Sequence, residues 1–238
     1  MARFVLIHGA WHGGWCWHRI VTRLQRASHQ VMTPDLLALG IDCTPPSEVT
    51  LDRWAQQIVT LIESTSEPVV LVGHSRGGIV LSAVAERIPE RLRMLVYLSA
   101  FLLENGASLR ETAAGIEGSL VPPAMVIAED HASATVRPDA VREAFYGCCS
   151  DDDVALAASL LKPEPLAPLA TPMRVSAERF GSVPRVYIEC LRDRAITHVA
   201  QRRMQAALPC RERITLDTDH SPFFSRPDEL ASALLRLV

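Results

Sequence analysis

Ser75 stands in the setting that most directly suggests chemistry. It is the central residue of Gly73-His74-Ser75-Arg76-Gly77, with four apolar residues, Val69 to Val72, before it and a helical pattern after it. Gly-x-Ser-x-Gly alone recurs by chance. Between a strand and a helix it predicts a nucleophile elbow, a sharp turn that presents the serine hydroxyl at its tip. Such a turn strains the backbone of Ser75 and needs small neighbours, which Gly73 and Gly77 supply.

A serine hydroxyl is a weak nucleophile near neutral pH and needs a base to take its proton. A histidine held by a carboxylate does this, and on a strand–elbow–helix scaffold the chain order is serine, acid, histidine. Only His131, His198 and His220 follow Ser75. His131 falls where the regular pattern is broken, and His198 opens a helix. His220 lies in Leu216-Asp217-Thr218-Asp219-His220-Ser221-Pro222, just past the last expected strand, and is the predicted base. Asp193, in the loop after Val186 to Cys190, is the predicted acid. Asp217 and Asp219 are too near His220 in sequence to hold it from the far side and read as turn residues. Glu104, after an earlier strand, is the weaker alternative. The negative oxygen of a tetrahedral intermediate needs two backbone N–H donors. The predicted pair is Arg76, next to the nucleophile, and Ala10 in the loop after the first strand, where Gly9 lets the backbone come close.

The residues around this set read less chemically. His8 and His12 are expected to pack and hydrogen-bond around the Ala10 loop, and Trp11, Trp15 and Trp17 to pack. The Arg76 side chain either covers the surface or meets a carboxylate of the segment over the site. Asp151-Asp152-Asp153 reads as a helix N-terminus favouring negative charge, not a metal site. Gly9, Trp11, Met125, Phe145 and Tyr146 are the residues expected to contact substrate.

Elements that could position these groups follow along the chain. Phe4 to Ile7 reads as a doubly buried strand, followed by a glycine-rich loop and a helix from Trp15 to Ala27. A strand at His29 to Thr33 leads to Leu37–Pro46, read as a surface excursion. A helix over Leu51 to Ile62 has Thr50 as its N-cap. The elbow strand and a helix over Gly77 to Ile88 come next, then a strand at Arg93 to Leu98. From there to about Ser182 the alternation is lost among seven prolines, with helical patches at Asp139 to Tyr146 and Asp151 to Leu161. This reads as a helical lid, residues 103–182, inserted into a core of 1–102 and 183–238. Alternation resumes with a strand at Pro184 to Cys190, a helix from Val199 to Leu208, a strand at Arg213 to Leu216 and a helix at Pro227 to Leu237. Strand–helix alternation predicts an α/β fold, a mostly parallel sheet of about six strands with helices on both faces. Ligands bind such sheets at the carboxyl ends of the strands, where Ser75 falls.

With 238 residues the chain suits one α/β domain carrying an insertion, and a net charge of −3 points to neither nucleic acid nor an anionic membrane. Lys162 is the only lysine, and the arginines are scattered. The six cysteines show no metal-ligand spacing. No secretory leader or span of about 20 apolar residues is seen, so a cytoplasmic protein with free thiols is expected. Whether it works alone or as a homodimer is left open.

Three runs carry a family resemblance: His8-Gly9-Ala10-Trp11-His12-Gly13-Gly14-Trp15, Asp35-Leu36-Leu37-Ala38-Leu39-Gly40-Ile41-Asp42, and Gly73 to Gly78. It resumes at Gly181 to Ile188 and continues through Asp193 and Gln201-Arg202-Arg203-Met204 to Asp219-His220. These resemble the plant methylesterase and hydroxynitrile lyase group and its bacterial, pyrethroid-hydrolase-like carboxylesterase relatives; the lid resembles them only loosely. The resemblance implies an α/β-hydrolase fold, no cofactor, and Ser75, Asp193 and His220 as triad. Lyases of the group carry Thr where Gly9 stands and Lys where Ser221 stands. Their absence points to the esterases. The expected activity is serine carboxylester hydrolysis of a small or medium hydrophobic ester through an acyl-enzyme. The rivals are a lyase on the same scaffold and a non-catalytic binding protein of that fold.

Overall fold

Four strands of the main sheet are apolar enough to be buried on both faces, and their sequence order fixes how the site is assembled. In the computed structural model, which describes residues 1–238, β1 (Arg3–Ile7) leads through a short 3₁₀ turn to α1 (His18–Arg26) and β2 (Gln30–Met32). Next come α2 (Leu51–Glu63), β3 (Val69–His74), α3 (Gly77–Arg87) and β4 (Leu92–Leu98). The chain then leaves the main sheet. It forms α4 (Leu109–Ala114), β5 (Met125–Ile127), β6 (Ser133–Val136), α5 (Pro138–Phe145), α6 (Asp151–Leu160), β7 (Glu164–Pro165) and α7 (Ala167–Ala170). It returns with β8 (Arg185–Cys190), α8 (His198–Ala207), β9 (Glu212–Leu216), α9 (Pro222–Ser225) and α10 (Pro227–Leu235).

The main sheet has six strands in the order β2-β1-β3-β4-β8-β9, and every neighbouring pair is parallel. The elbow strand β3 is therefore central. Alternation along the strands sends side chains to two separate cores. Val5, Ile7, Leu71, Leu95, Tyr97 and Tyr187 face one core with α2 and α3. Phe4, Leu6, Val70, Val72, Val96 and Ile188 face the other with α1 and α10. On α2, Leu51, Trp54, Ala55, Ile58, Val59 and Ile62 form one buried stripe, and Thr50 caps its start by accepting the Arg53 N–H. Burying each large apolar side chain of that stripe contributes ~1.5–3 kcal/mol.

Two sequence expectations change. Leu37–Pro46 is not a surface excursion throughout: Ala38 and Leu39, like Leu36 just before the segment, are buried in the α2–α3 core. The Asp35 carboxylate draws this segment in, accepting the Gly14 N–H at 2.6 Å and the Ile41 N–H at 3.0 Å. The segment between β4 and β8 is not purely helical either. It carries an antiparallel three-stranded sheet, β5-β6-β7, beside four short helices. Its residues enter both cores: Leu109, Leu169 and Met173 on one side, Val141, Phe145 and Tyr146 on the other. A partly buried ion pair, Arg19 to Asp153 at 2.6 Å, also ties it to α1. Asp153 thus does more than complement a helix dipole.

Candidate active site

β3 and α3 must reverse direction within two residues, and Ser75 takes the strain with φ at +53°. A non-glycine residue in that region costs ~1–2 kcal/mol. Backbone hydrogen bonds hold it there. The Ser75 N–H donates to Leu98 C=O at 3.2 Å, and its C=O accepts from Gly78 at 3.1 Å and Phe101 at 3.0 Å. Close packing accounts for the flanking glycines. A Cβ on Gly73 would lie 2.4 Å from Leu81 Cδ1, and one on Gly77 3.0 Å from the Ile7 carbonyl on β1.

His220 sits on the loop after β9, with Nδ1 2.7 Å from Asp193 Oδ2, and both side chains are buried. Asp193 is fixed on both oxygens. Oδ1 accepts the N–H groups of Ala195 at 2.7 Å and Ile196 at 2.9 Å, while the Ser99 hydroxyl donates to Oδ2. With Nδ1–H committed to the carboxylate, Nε2 is the basic edge of the ring. His74 Nε2–H donates to the His220 carbonyl at 2.8 Å, and the two rings lie 4.4 Å apart. The loop carrying His220 is thereby tied to the residue before Ser75.

The other acids are engaged elsewhere. Asp217 pairs with Arg192 in solvent, and Glu104 is exposed. Asp219 is buried and is more than a turn residue. Its carboxylate accepts the Cys148 N–H at 2.7 Å and the Ser225 hydroxyl at 2.8 Å, joining the inserted segment to the His220 loop. His131 is exposed, and His198 faces Glu189 at 3.3 Å.

The loop after β1 lies against the elbow. His8 Nδ1–H donates to Gly9 C=O at 2.9 Å and its Nε2 accepts the Leu36 N–H at 3.1 Å. His12 Nδ1–H donates to Ala10 C=O at 2.6 Å, and its Nε2 accepts the Tyr146 hydroxyl. Burial pushes the His12 pKa down to about 4, helped by the nearby His220 and Arg76. Burial likewise pushes His8 and His74 well down. These imidazoles are neutral struts around the loop, as expected for His8 and His12. The Trp11 N–H is taken by Glu164 Oε2 at 2.9 Å, whereas the N–H groups of Ala10 and Arg76 donate to no backbone carbonyl.

Ala10, Trp11, Ser75 and Arg76 line a small cavity of ≈ 60 Å³. Met125 and Phe145 also line it, with Phe101, Leu109, Leu169 and Ile196 among the walls. Outside it lies a groove of ≈ 650 Å³ that shares Leu109, Ala113, Pro122, Met125 and Leu169 with the cavity. Two expected substrate contacts are not on this surface. Tyr146 is fully buried behind the cavity with its hydroxyl on His12. Gly9 faces the elbow: a Cβ there would lie 2.8 Å from His74 Nδ1 and 3.0 Å from Ser75 Cβ. Its smallness serves close approach of the loop, not substrate contact.

A sequence model of the alpha/beta hydrolase family matches residues 4–233 of this chain. The chain belongs to the α/β-hydrolase family. Within it, salicylic acid-binding protein 2 of Nicotiana tabacum is 34% identical over 98% of this chain and 96% of that protein. The crystal structure of a methylesterase from Arabidopsis superposes with a TM-score of 0.88 at 27% identity, covering 100% of this chain and 98% of the other. A pyrethroid hydrolase from Sphingobium faniae superposes at 0.87 and 26% identity, over 99% and 96% of the two chains. The resemblance to plant methylesterases and their bacterial relatives therefore spans nearly the whole chain.

This α/β-hydrolase also holds groups that sequence reasoning missed. Ser99 on Asp193 and His74 on the His220 carbonyl left no spacing signal, because both partners lie far along the chain. The Arg76 side chain resolves its two alternatives: it is buried and meets Glu164 of the inserted segment at 2.9 Å. A lone Glu in a proline-rich stretch gives no warning of that.

Proposed function

We propose that this α/β-hydrolase is a serine carboxylesterase acting on hydrophobic esters through an acyl-enzyme, without a cofactor. The observation that carries the reading is the His220–Asp193 pair at 2.7 Å, tied by its backbone to the elbow that holds Ser75 in the lining of an apolar cavity. In this mechanism His220 Nε2 takes the Ser75 proton as the hydroxyl attacks the ester carbonyl. Asp193 orients the ring and stabilises the imidazolium. The N–H groups of Ala10 and Arg76 receive the oxyanion. His220 then protonates the leaving alcohol, and water repeats the cycle to free the acid. The cavity offers 11 hydrophobic residues among 15, which suits an apolar acyl or alcohol group reaching toward the outer groove. Relatives that are methylesterases and a pyrethroid hydrolase support an ester as the substrate.

The lyase alternative needs a positive charge near the base for departing cyanide. Ser221 is a buried hydroxyl, and the only lysine, Lys162, has its Nζ on the Asp42 carbonyl at 3.2 Å. The test is a panel of p-nitrophenyl esters of graded acyl length beside aryl-substituted methyl esters, with mandelonitrile as the lyase substrate. Ester hydrolysis is expected, falling by ~10³ or more in Ser75→Ala, with mandelonitrile cleaved no faster than in that variant. Cyanide release well above the control, with no ester turned over, contradicts the proposal.

A further inference from the structure

Arg76 is a long cation in a costly place. Its side chain is 1% exposed beside Ser75 and pairs at 2.9 Å with Glu164, which is 0% exposed. The guanidinium lies over the Trp54 ring, 4.3 Å from its centroid. Burial pulls the Arg76 pKa down and pushes that of Glu164 up, and each charge counters the effect on the other. Buried ion pairs are poor stabilisers compared with apolar side chains of similar volume. What the remaining atoms touch gives this pair another role.

Arg76 Nη2 donates to the Gly9 carbonyl at 2.9 Å, and Glu164 Oε2 accepts the Trp11 N–H at 2.9 Å. Gly9 C=O and Ala10 N–H are the two ends of one planar trans peptide group, so they point in opposite directions. The Gly9 carbonyl also accepts from His8 Nδ1 at 2.9 Å, and the Ala10 carbonyl from His12 Nδ1 at 2.6 Å. The peptide groups on both sides of the Ala10 Cα are thus clamped. Of the four polar groups in these two peptides, only the Ala10 N–H has no hydrogen-bond partner.

We propose that Arg76 and Glu164 are positioning residues that lock and polarise the Gly9–Ala10 peptide so that its N–H is aimed at the substrate oxyanion. The inference rests on the esterase reading. Arg76 then serves twice: its own N–H is one donor, and its guanidinium orients the other. A charged donor on a carbonyl also strengthens the N–H at the far end of the same peptide. Preorganised donors of this kind need no rearrangement as charge develops.

Either single neutral substitution strands a buried charge, so the informative variant is the double Arg76→Met/Glu164→Gln. It removes both charges at similar volume, and the Gln carbonyl still accepts the Trp11 N–H. Four quantities are measured: the melting temperature, kcat and KM on a hydrolysed ester, the affinity of an aryl trifluoromethyl ketone that forms a tetrahedral adduct, and the ¹⁵N-amide resonance of Ala10. The double variant is expected to fold, with kcat reduced ~10–10²-fold and KM within about twofold. Ketone affinity should weaken by the same factor, since the adduct resembles the transition state, and the Ala10 amide should move upfield. If the double variant does not fold, Arg76→Lys, which keeps the charge but not the planar fork, should show the same split on a smaller scale. A folded variant with kcat within twofold of wild type, or an unmoved Ala10 resonance, overturns the proposal. Wild-type protein that turns over no ester overturns the esterase reading instead, and the Ala10 resonance then decides the positioning claim alone.

Discussion

Of the four carboxylates that could orient His220, Asp193 is the one hydrogen-bonded to it, at 2.7 Å. In sequence, only its position after a strand end separates it from Asp217, Asp219 and Glu104, which carry the same group. In the structure Asp193 takes the His220 Nδ1, the Ser99 hydroxyl and two backbone N–H groups. Asp193→Asn should therefore lower kcat by ~10³–10⁴ while KM stays within a few-fold, because the wrong imidazole tautomer is stabilised and the cavity survives. Asp217→Asn and Glu104→Gln should leave kcat within about twofold, since both carboxylates face solvent. Asp219→Asn should act on stability, by ~1–3 kcal/mol, through its bonds to Cys148 and Ser225. Steady-state kinetics beside urea unfolding separates these outcomes; a kcat loss from Asp217→Asn or Glu104→Gln exceeding that of Asp193→Asn moves the acid elsewhere. Side-chain partners such as Glu164 were illegible for a different reason: a contact between distant segments leaves no periodic trace in either.

At the scale of elements, what was legible is what repeats. The strands of the main sheet are short apolar runs closed by turn residues, and their boundaries shift by only one or two positions: the expected Arg93 to Leu98 becomes Leu92–Leu98, and Pro184 to Cys190 becomes Arg185–Cys190. β5, β6 and β7 were missed because strands of two to four residues among prolines carry too little alternation to detect. The glycine content of the loop after β1 is plain in the sequence, but the neutral imidazoles that brace it are visible only in the structure. These predict an acid limit on stability. His12 has a pKa of about 4 when folded against 6.5 for the free side chain. Below pH 6.5 the unfolded chain therefore binds a proton that the folded one refuses. Stability is full above that value and falls as pH drops toward about 4, by ~1.4 kcal/mol per pH unit from this group. His8 and His74, lowered the same way, steepen the decline. Urea midpoints taken between pH 7.5 and 5 (about) should fall, less steeply in His12→Gln. A flat profile in wild type contradicts neutral burial of these rings.

At the scale of the whole molecule, the six-stranded sheet and its two cores carry the elbow, and residues of the segment between β4 and β8 line the cavity beside it. Among the contacts that stitch that segment down near the site are Glu164 on Arg76 and Trp11, Tyr146 on His12, and Cys148 on Asp219. Each of these reaches a loop that carries an expected catalytic group, so the segment supports the site as well as lining it. No helix is long and apolar enough to cross a membrane. The central claim is that one hydroxyl, at Ser75, is the nucleophile. Its most direct test is titration with one equivalent of diethyl p-nitrophenyl phosphate, followed by peptide mass mapping. The account predicts stoichiometric release of p-nitrophenolate, one diethylphosphoryl group on the peptide containing Ser75, ester turnover lost in proportion, and no label on Ser75→Ala. Inactivation with the label on another residue, or equal labelling of Ser75→Ala, would contradict it.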